Sequence, residues 1–277
     1  MTDASRTIRV GMAQLLVVPG RPDDNLARAR AAVAEAAQAG CDVVVLPECL
    51  DLGWTHESAR ELAEPIPGPR VDVLAAAARE HGVLVAAGLT ERAGDRVHNS
   101  AVLLSATGEL LLHHRKIHEL DFARALYTTG SSLAVADTPL GRIGLDICAD
   151  NSAATTGIGH ALGLMGAEVL LSPSAWAVPP DHDNHVDPYG AEWEAPYREL
   201  ATAHDMPVVG VSNVGPVVGG EWDGWRCIGA SLAVGRDGET IRQGTYGEAA
   251  AELLVVDVEL RPRTGAATGS TADSPAA

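Results

Sequence analysis

Three ionisable residues stand just beyond apolar runs of the chain. Glu48 follows Val43, Val44, Val45, Leu46 and Pro47; Lys116 follows the stretch 110–115; Cys148 follows 142–147. In α/β proteins the carboxyl ends of strands are where sites are built. Taken singly, each residue has an ordinary reading: a cysteine after a strand is a small buried hydrophobe, a glutamate caps the next segment, and a lysine is a solvated charge. Taken together they supply an attacking thiol, a carboxylate to move its proton and a cation for a developing oxyanion, the minimum set for acyl transfer through a covalent intermediate. A thiol of ordinary pKa, about 8.5, is mostly protonated at neutral pH, so it needs such a neighbour to attack.

Composition singles out the middle member. The chain has 20 basic residues, and the only lysine among them is Lys116. Arginine serves wherever a generic cation suffices. A lysine offers a compact ammonium with three rotatable donors, a shape that arginine lacks.

The elements that must position these residues alternate along the chain. Residues 8–14 read as a strand, and 23–38, Ala-rich and preceded by Pro22, read as a helix stopped by Gly40. A β-branched run at 42–46, of the kind buried on both faces, completes a βαβ opening and ends at Pro47 and Glu48. A helix over 70–80 leads into strands at 83–90, 99–105 and 109–114, expected to be sheet neighbours. Strands at 133–137 and 142–147 flank the turn Pro139-Leu140-Gly141, and the second delivers Cys148. A helix over 153–165, a strand at 169–171, a polar loop at 179–189, a helix over 192–204 and a strand at 208–212 follow. Strands at 227–234 and 239–243 are joined by Arg236-Asp237-Gly238, and 253–258 closes the sheet. This pattern predicts an α/β protein with mixed sheets covered by helices. It leaves open one doubly wound sheet or two sheets packed face to face.

Three ordered motifs, Leu46-Pro47-Glu48, His114-Arg115-Lys116-Ile117-His118 and the segment from Gly144 through Cys148 to Asp150, resemble those of the nitrilase superfamily of carbon-nitrogen hydrolases. Supporting segments at 10–14, 170–176 and 208–215 extend the resemblance over residues 8–258. It implies a four-layer α-β-β-α sandwich of two mixed sheets flanked by helices, associated into homodimers or larger homo-oligomers. It also implies Cys148 as nucleophile, Glu48 as general base and acid, and Lys116 with the backbone N–H of Ala149 at the oxyanion. The expected reaction is hydrolysis of a small linear amide or N-carbamoyl compound through a thioester. A nitrile substrate, or an inert interaction protein of the same fold, is the alternative.

The sequence departs from that family pattern in two places. Where many relatives carry a second glutamate after the lysine motif, Ala123 and Arg124 stand here, leaving Glu119 or Asp121 to reach the same space. After the nucleophile, Ala149-Asp150-Asn151 replaces a tyrosine, aspartate and aromatic. Trp54, His56, Trp176, Trp193, Trp222 and Trp225 fall mainly in loops. In a chain with a single phenylalanine, Trp54 and Trp176 are the foremost candidates for pocket walls.

The remaining expectations are exclusions. A net charge of −17 repels phosphate backbones and anionic membranes, so neither nucleic acid nor membrane is an expected partner. His113, His114 and His118, and separately His182 and His185, lack the carboxylate pattern of a hydrolytic metal site, and no nucleotide-binding glycine motif occurs, so no metal or other cofactor is expected. Four dispersed cysteines and an N-terminus without a signal-peptide pattern point to the cytoplasm. Residues 1–260 are expected to form one domain, and 261–277, rich in Ala, Thr, Gly and Ser, a disordered tail.

Overall fold

A computed structural model describes residues 6–262. Its elements run β1 (Arg6–Gln14), α1 (Pro22–Gln38), β2 (Val43–Val45), α2 (Ala59–Leu62), α3 (Pro69–His81), β3 (Leu84–Ala93), β4 (Arg96–Leu104) and β5 (Leu110–Arg115) in the first half. The second half runs β6 (Val135–Thr138), β7 (Gly141–Leu145), α4 (Gly157–Leu164), β8 (Val169–Ser174), β9 (Ala177–Val178), α5 (Ala191–His204), β10 (Val208–Ser212), β11 (Val214–Pro216), β12 (Arg226–Ile228), β13 (Leu232–Val234), β14 (Thr240–Gln243) and β15 (Glu252–Leu260).

These strands form two six-stranded mixed sheets, ordered β15-β1-β2-β3-β4-β5 and β14-β13-β10-β8-β7-β6, with a small sheet β11-β12-β9 beside them. The two sheets pack face to face, which resolves the alternative that periodicity leaves open. Alternation along the strands shows why. In the first sheet Val43, Val45, Leu84, Ala86, Ala101 and Leu103 turn inward to join Ile143, Leu145, Val209 and Val211 of the second. Their neighbours Val44, Val85, Ala87, Val102 and Leu104 turn outward against α1 and α3. A strand whose two faces are both covered must be apolar throughout, as β2 is. Each such buried valine or leucine stabilises the fold by roughly 1.5–3 kcal/mol. Helices α4 and α5 cover the second sheet.

The expected sequential neighbours β3, β4 and β5 pair antiparallel in that order, and Pro139-Leu140-Gly141 turns β6 into β7. Three readings need correction. The expected single strand 227–234 is two strands in different sheets, because Gly229 and Ala230, with φ of 65° and 56°, turn the chain between them. The helix expected from residue 153 begins at Gly157; the segment after the nucleophile instead forms a short 3-10 turn, Cys148–Asn151. The strand expected at 169–171 continues through Pro173 to Ser174, since β7 ends opposite Leu171 and asks no N–H of the proline. The last strand, β15, crosses to the edge of the first sheet beside β1 rather than extending the hairpin before it.

Among the described residues, no helix is long and apolar enough to cross a membrane. Of the segment expected to be a tail, Arg261 donates to the carbonyls of Gly166 and His204 at 2.8 and 3.2 Å. Residues beyond 262 lie outside the described residues.

Candidate active site

The strand directions bring the three residues together. β2 and β3 run parallel, while β3, β4 and β5 alternate, so β2 and β5 point the same way and present Glu48 and Lys116 at one end of the first sheet. β7 and β8 are parallel in the second sheet, and β7 delivers Cys148 across the gap. The backbone N–H of Glu48 donates to the Ser174 carbonyl at the end of β8, 3.2 Å, tying the two sheets at this point.

Glu48 and Lys116 form a buried ion pair, Lys116 Nζ to Glu48 Oε1 at 2.7 Å, and Asn99 Nδ2 donates to the same oxygen at 2.6 Å. Burial opposes the charge on Lys116, but the carboxylates of Glu48 and Glu119 outweigh it, so its pKa rises well above the ordinary value and the ammonium persists. The backbone of Lys116 is clamped from both sides: its N–H donates to Asn99 O at 2.8 Å and its carbonyl accepts from Gly130 N at 2.7 Å. Gly130 is required there, since a Cβ would lie 2.1 Å from the Arg115 carbonyl. On the other flank, β3 passes so close that a Cβ on Gly88 would lie 2.5 Å from Glu48 Cα.

Cys148 has φ of 45°, the left-handed region that L residues rarely adopt, and its N–H is held by Ser172 Oγ at 3.1 Å. The thiol lines the same cavity as Glu48, Lys116 and Ala175. Burial, then the charge of Glu48, pushes its pKa well up, and Lys116 only partly offsets this. The resting group is a neutral thiol beside a carboxylate. Ala149 follows in the first turn of the 3-10 segment, where backbone N–H groups have no partner within the turn.

Glu119 reaches the site, whereas Asp121 does not. Glu119 is fully buried, its Oε2 3.8 Å from Lys116 Nζ. Burial pushes its carboxyl up to about 7, with the Glu48 charge adding to the rise and Lys116 opposing it. Asp121 is almost fully exposed and pairs with Arg124 at 3.6 Å, so Arg124 points away from the ammonium; Ala123 packs in the core beside Tyr127.

Asp150 joins the lysine segment to the cysteine turn. Its Oδ1 accepts from the N–H groups of Ile117 and His118 at 3.1 and 2.7 Å, and its Oδ2 from Ile147 N and His114 Nε2 at 3.2 and 2.8 Å. Sequence reading placed Asp150 only in a motif and passed over Asn99 and Ser172. The available signal was a polar residue inside an otherwise apolar strand, which needs a buried partner.

Above these groups opens a cavity of about 640 Å³, within the range of small-molecule sites. Trp54, Trp176, Trp193, Trp222 and Trp225 line it. His56 does not line it; its Nδ1 lies 2.7 Å from Ser58 Oγ. Of the histidines, His113 pairs with Glu91 at 2.9 Å, His182 lines the cavity and His185 is exposed. Among the described residues, no three His, Cys, Asp or Glu side chains converge as metal ligands.

A thiol, a carboxylate and an ammonium joined across an α-β-β-α sandwich place this protein in a class: the chain belongs to the carbon-nitrogen hydrolase family, whose model matches residues 9–266. Among its relatives, it is 28% identical over 263 residues to omega-amidase NIT2-B of Xenopus laevis, covering 91% of this chain and 89% of that one. It is 30% identical over 262 residues to a nitrilase of Pyrococcus abyssi, covering 91% and 90%. In fold it is similar to an amidase from Nesterenkonia sp., with TM-score 0.77 at 20% identity over 94% and 93% of the two chains. It is likewise similar to Saccharomyces cerevisiae Nit3, a member of branch 10 of the nitrilase superfamily, with TM-score 0.76 at 21% identity over 92% and 90%.

Proposed function

We propose that the protein hydrolyses the carbon-nitrogen bond of a small linear amide or N-carbamoyl compound through a thioester on Cys148. The observation that carries this reading is the convergence of a buried thiol, Glu48 and the chain's only lysine on one cavity, with Lys116 Nζ 2.7 Å from Glu48 Oε1. Asn99 and Lys116 both donate to Oε1 of Glu48, leaving Oε2 as acceptor for the thiol proton. The sulfur attacks the carbonyl carbon as Glu48 takes that proton. Negative charge on the carbonyl oxygen is met by Lys116 and the Ala149 N–H, a contribution that grows in the transition state. Glu48 then passes its proton to the departing nitrogen as the C–N bond breaks. Water, deprotonated by Glu48, attacks the thioester and releases the acid and the thiol. Glu119 is the second carboxylate in this scheme, set against Lys116 from a position nearer in sequence than the family pattern leads one to expect.

The relatives named omega-amidase and amidase support the amide over other carbon-nitrogen substrates; the relative named nitrilase supports a nitrile as second reading. Ammonia release from matched amides, carbamoyl compounds and nitriles tests both. Release from amides that is abolished in Cys148→Ala is expected. Turnover of nitriles alone contradicts the amide reading, and no release from any of them contradicts both.

The reading extends to setting and assembly. Four cysteines, all unpaired, fit a reducing cytoplasm. Leu164 and Met165, exposed at the end of α4, fit a homo-oligomeric contact across the outer helices.

A further inference from the structure

All five tryptophans of the chain line the one cavity above Cys148. Trp222 and Trp225 stack with centroids 4.2 Å apart, Trp176 and Trp193 stack at 5.0 Å, and Trp54 sets its edge against Trp222 at 5.2 Å. The indole nitrogens of Trp54 and Trp176 are buried without a partner. Aromatic faces carry negative quadrupole density and attract cations.

The charges in the same wall have the same sense. Apart from the reacting groups Glu48, Lys116 and Cys148, the ionisable side chains lining the cavity are His182, Asp187 and Glu192, with the hydroxyl of Tyr189. Arginine supplies 19 of the 20 basic residues of this protein, and none lines the cavity. Lys116, the one cation present, is buried and held by Glu48 and Glu119. Glu192 stands in the same wall as Tyr189, whose hydroxyl accepts from Trp193 Nε1 at 2.9 Å. A substrate carboxylate placed away from the reacting end meets no arginine here, only His182 and the indole N–H groups of Trp54 and Trp176, set against two carboxylates of like sign. A substrate cation meets the tryptophan wall and, at its exposed rim, Glu192 and Asp187, while the Trp54 face is turned to Lys116 Nζ at 5.8 Å.

Resting on the amide-hydrolase reading above, we infer that the substrate carries a cationic group, an ammonium or guanidinium, at the end remote from the scissile amide, held by the tryptophan walls with Glu192 and Asp187. These two acidic residues are then determinants of specificity, not of the bond-breaking step.

The test uses three primary amides of one length: ε-aminocaproamide, its neutral isostere heptanamide, and the monoamide of pimelic acid. With the wild-type protein, kcat/KM for ε-aminocaproamide is expected to exceed that for heptanamide by about tenfold, and that for the pimelic monoamide by more, with the margin shrinking as salt is added. In the double variant Glu192→Gln, Asp187→Asn, kcat/KM for the cationic amide should fall while that for the pimelic monoamide rises. Misfolding lowers all three and cannot produce that opposite movement. Equal or better turnover of heptanamide or the pimelic monoamide by the wild type overturns the inference and leaves the amide reading standing. If none of the three is hydrolysed and Cys148 gains no acyl group, the amide reading falls. Binding to Cys148→Ala, followed by tryptophan fluorescence, then decides the inference alone: tighter binding of ε-aminocaproamide than heptanamide supports it, and equal or absent binding overturns it.

Discussion

At the scale of single residues, Lys116 carries the most specific demand. It donates to Glu48 within a buried cluster where a guanidinium has neither the room nor the point-charge shape. Lys116→Arg is therefore expected to fold, by circular dichroism, yet to lose about a hundredfold or more in kcat, the scale of a removed oxyanion donor; undiminished turnover would remove Lys116 from the mechanism. Glu119 gives a pH prediction. With its carboxyl near 7, it is neutral below that pH and anionic above it. A second negative charge beside Lys116 opposes the negative charge that develops in the transition state, so activity should decline as pH rises through about 7. In Glu119→Gln that limb should vanish from the pH-rate profile, and its persistence would assign the titration to another group. Glu48, Lys116 and Cys148 were legible in the sequence because each follows an apolar strand. Glu119 was harder to place, because the family spacing points to Ala123 and Arg124, and only the folded segment shows which side chain turns inward. Asn99 was illegible, since its partner lies 51 positions away across the strand order.

At the scale of elements, the site depends on strands approaching closely enough to join two sheets. β3 runs beside the end of β2 without a side chain at Gly88, and a Cβ there would lie 2.7 Å from the Pro47 carbonyl as well as against Glu48 Cα. Backbone must move to admit it. Gly88→Ala is expected to lower stability by about 1–3 kcal/mol in denaturant unfolding and to reduce turnover by displacing Glu48; a variant as active and stable as the wild type would show that the two strands can separate at no cost. Strand and helix order was largely readable from apolar periodicity and turn residues. The misreadings share a physical cause. Between residues 227 and 234 the hydrophobic run continues while the backbone turns at Gly229 and Ala230, and periodicity does not register a change of sheet. After Cys148, Asp150 takes up the backbone donors of Ile147, Ile117 and His118, which favours a tight 3-10 turn over an immediate helix.

At the scale of the whole molecule, two sheets face one another and the site forms where their strands end together. The sequence alone could not separate this from a doubly wound sheet, because inward and outward positions are apolar alike in strands covered on both faces. The outer helices carry the next prediction: Leu164 is 82% exposed. If α4 forms the contact between subunits, Leu164→Glu should shift the species seen in sedimentation velocity to a smaller one, whereas an unchanged distribution would move the contact elsewhere. The proposed chemistry requires a covalent bond to one of four cysteines. Intact-protein and peptide mass spectrometry after brief exposure to an intact amide that the protein turns over measures it directly. The expected result is an added acyl mass on Cys148, absent in Cys148→Ala and absent from Cys41, Cys49 and Cys227. Turnover with no acyl group on Cys148, or with the group on another residue, would contradict the account.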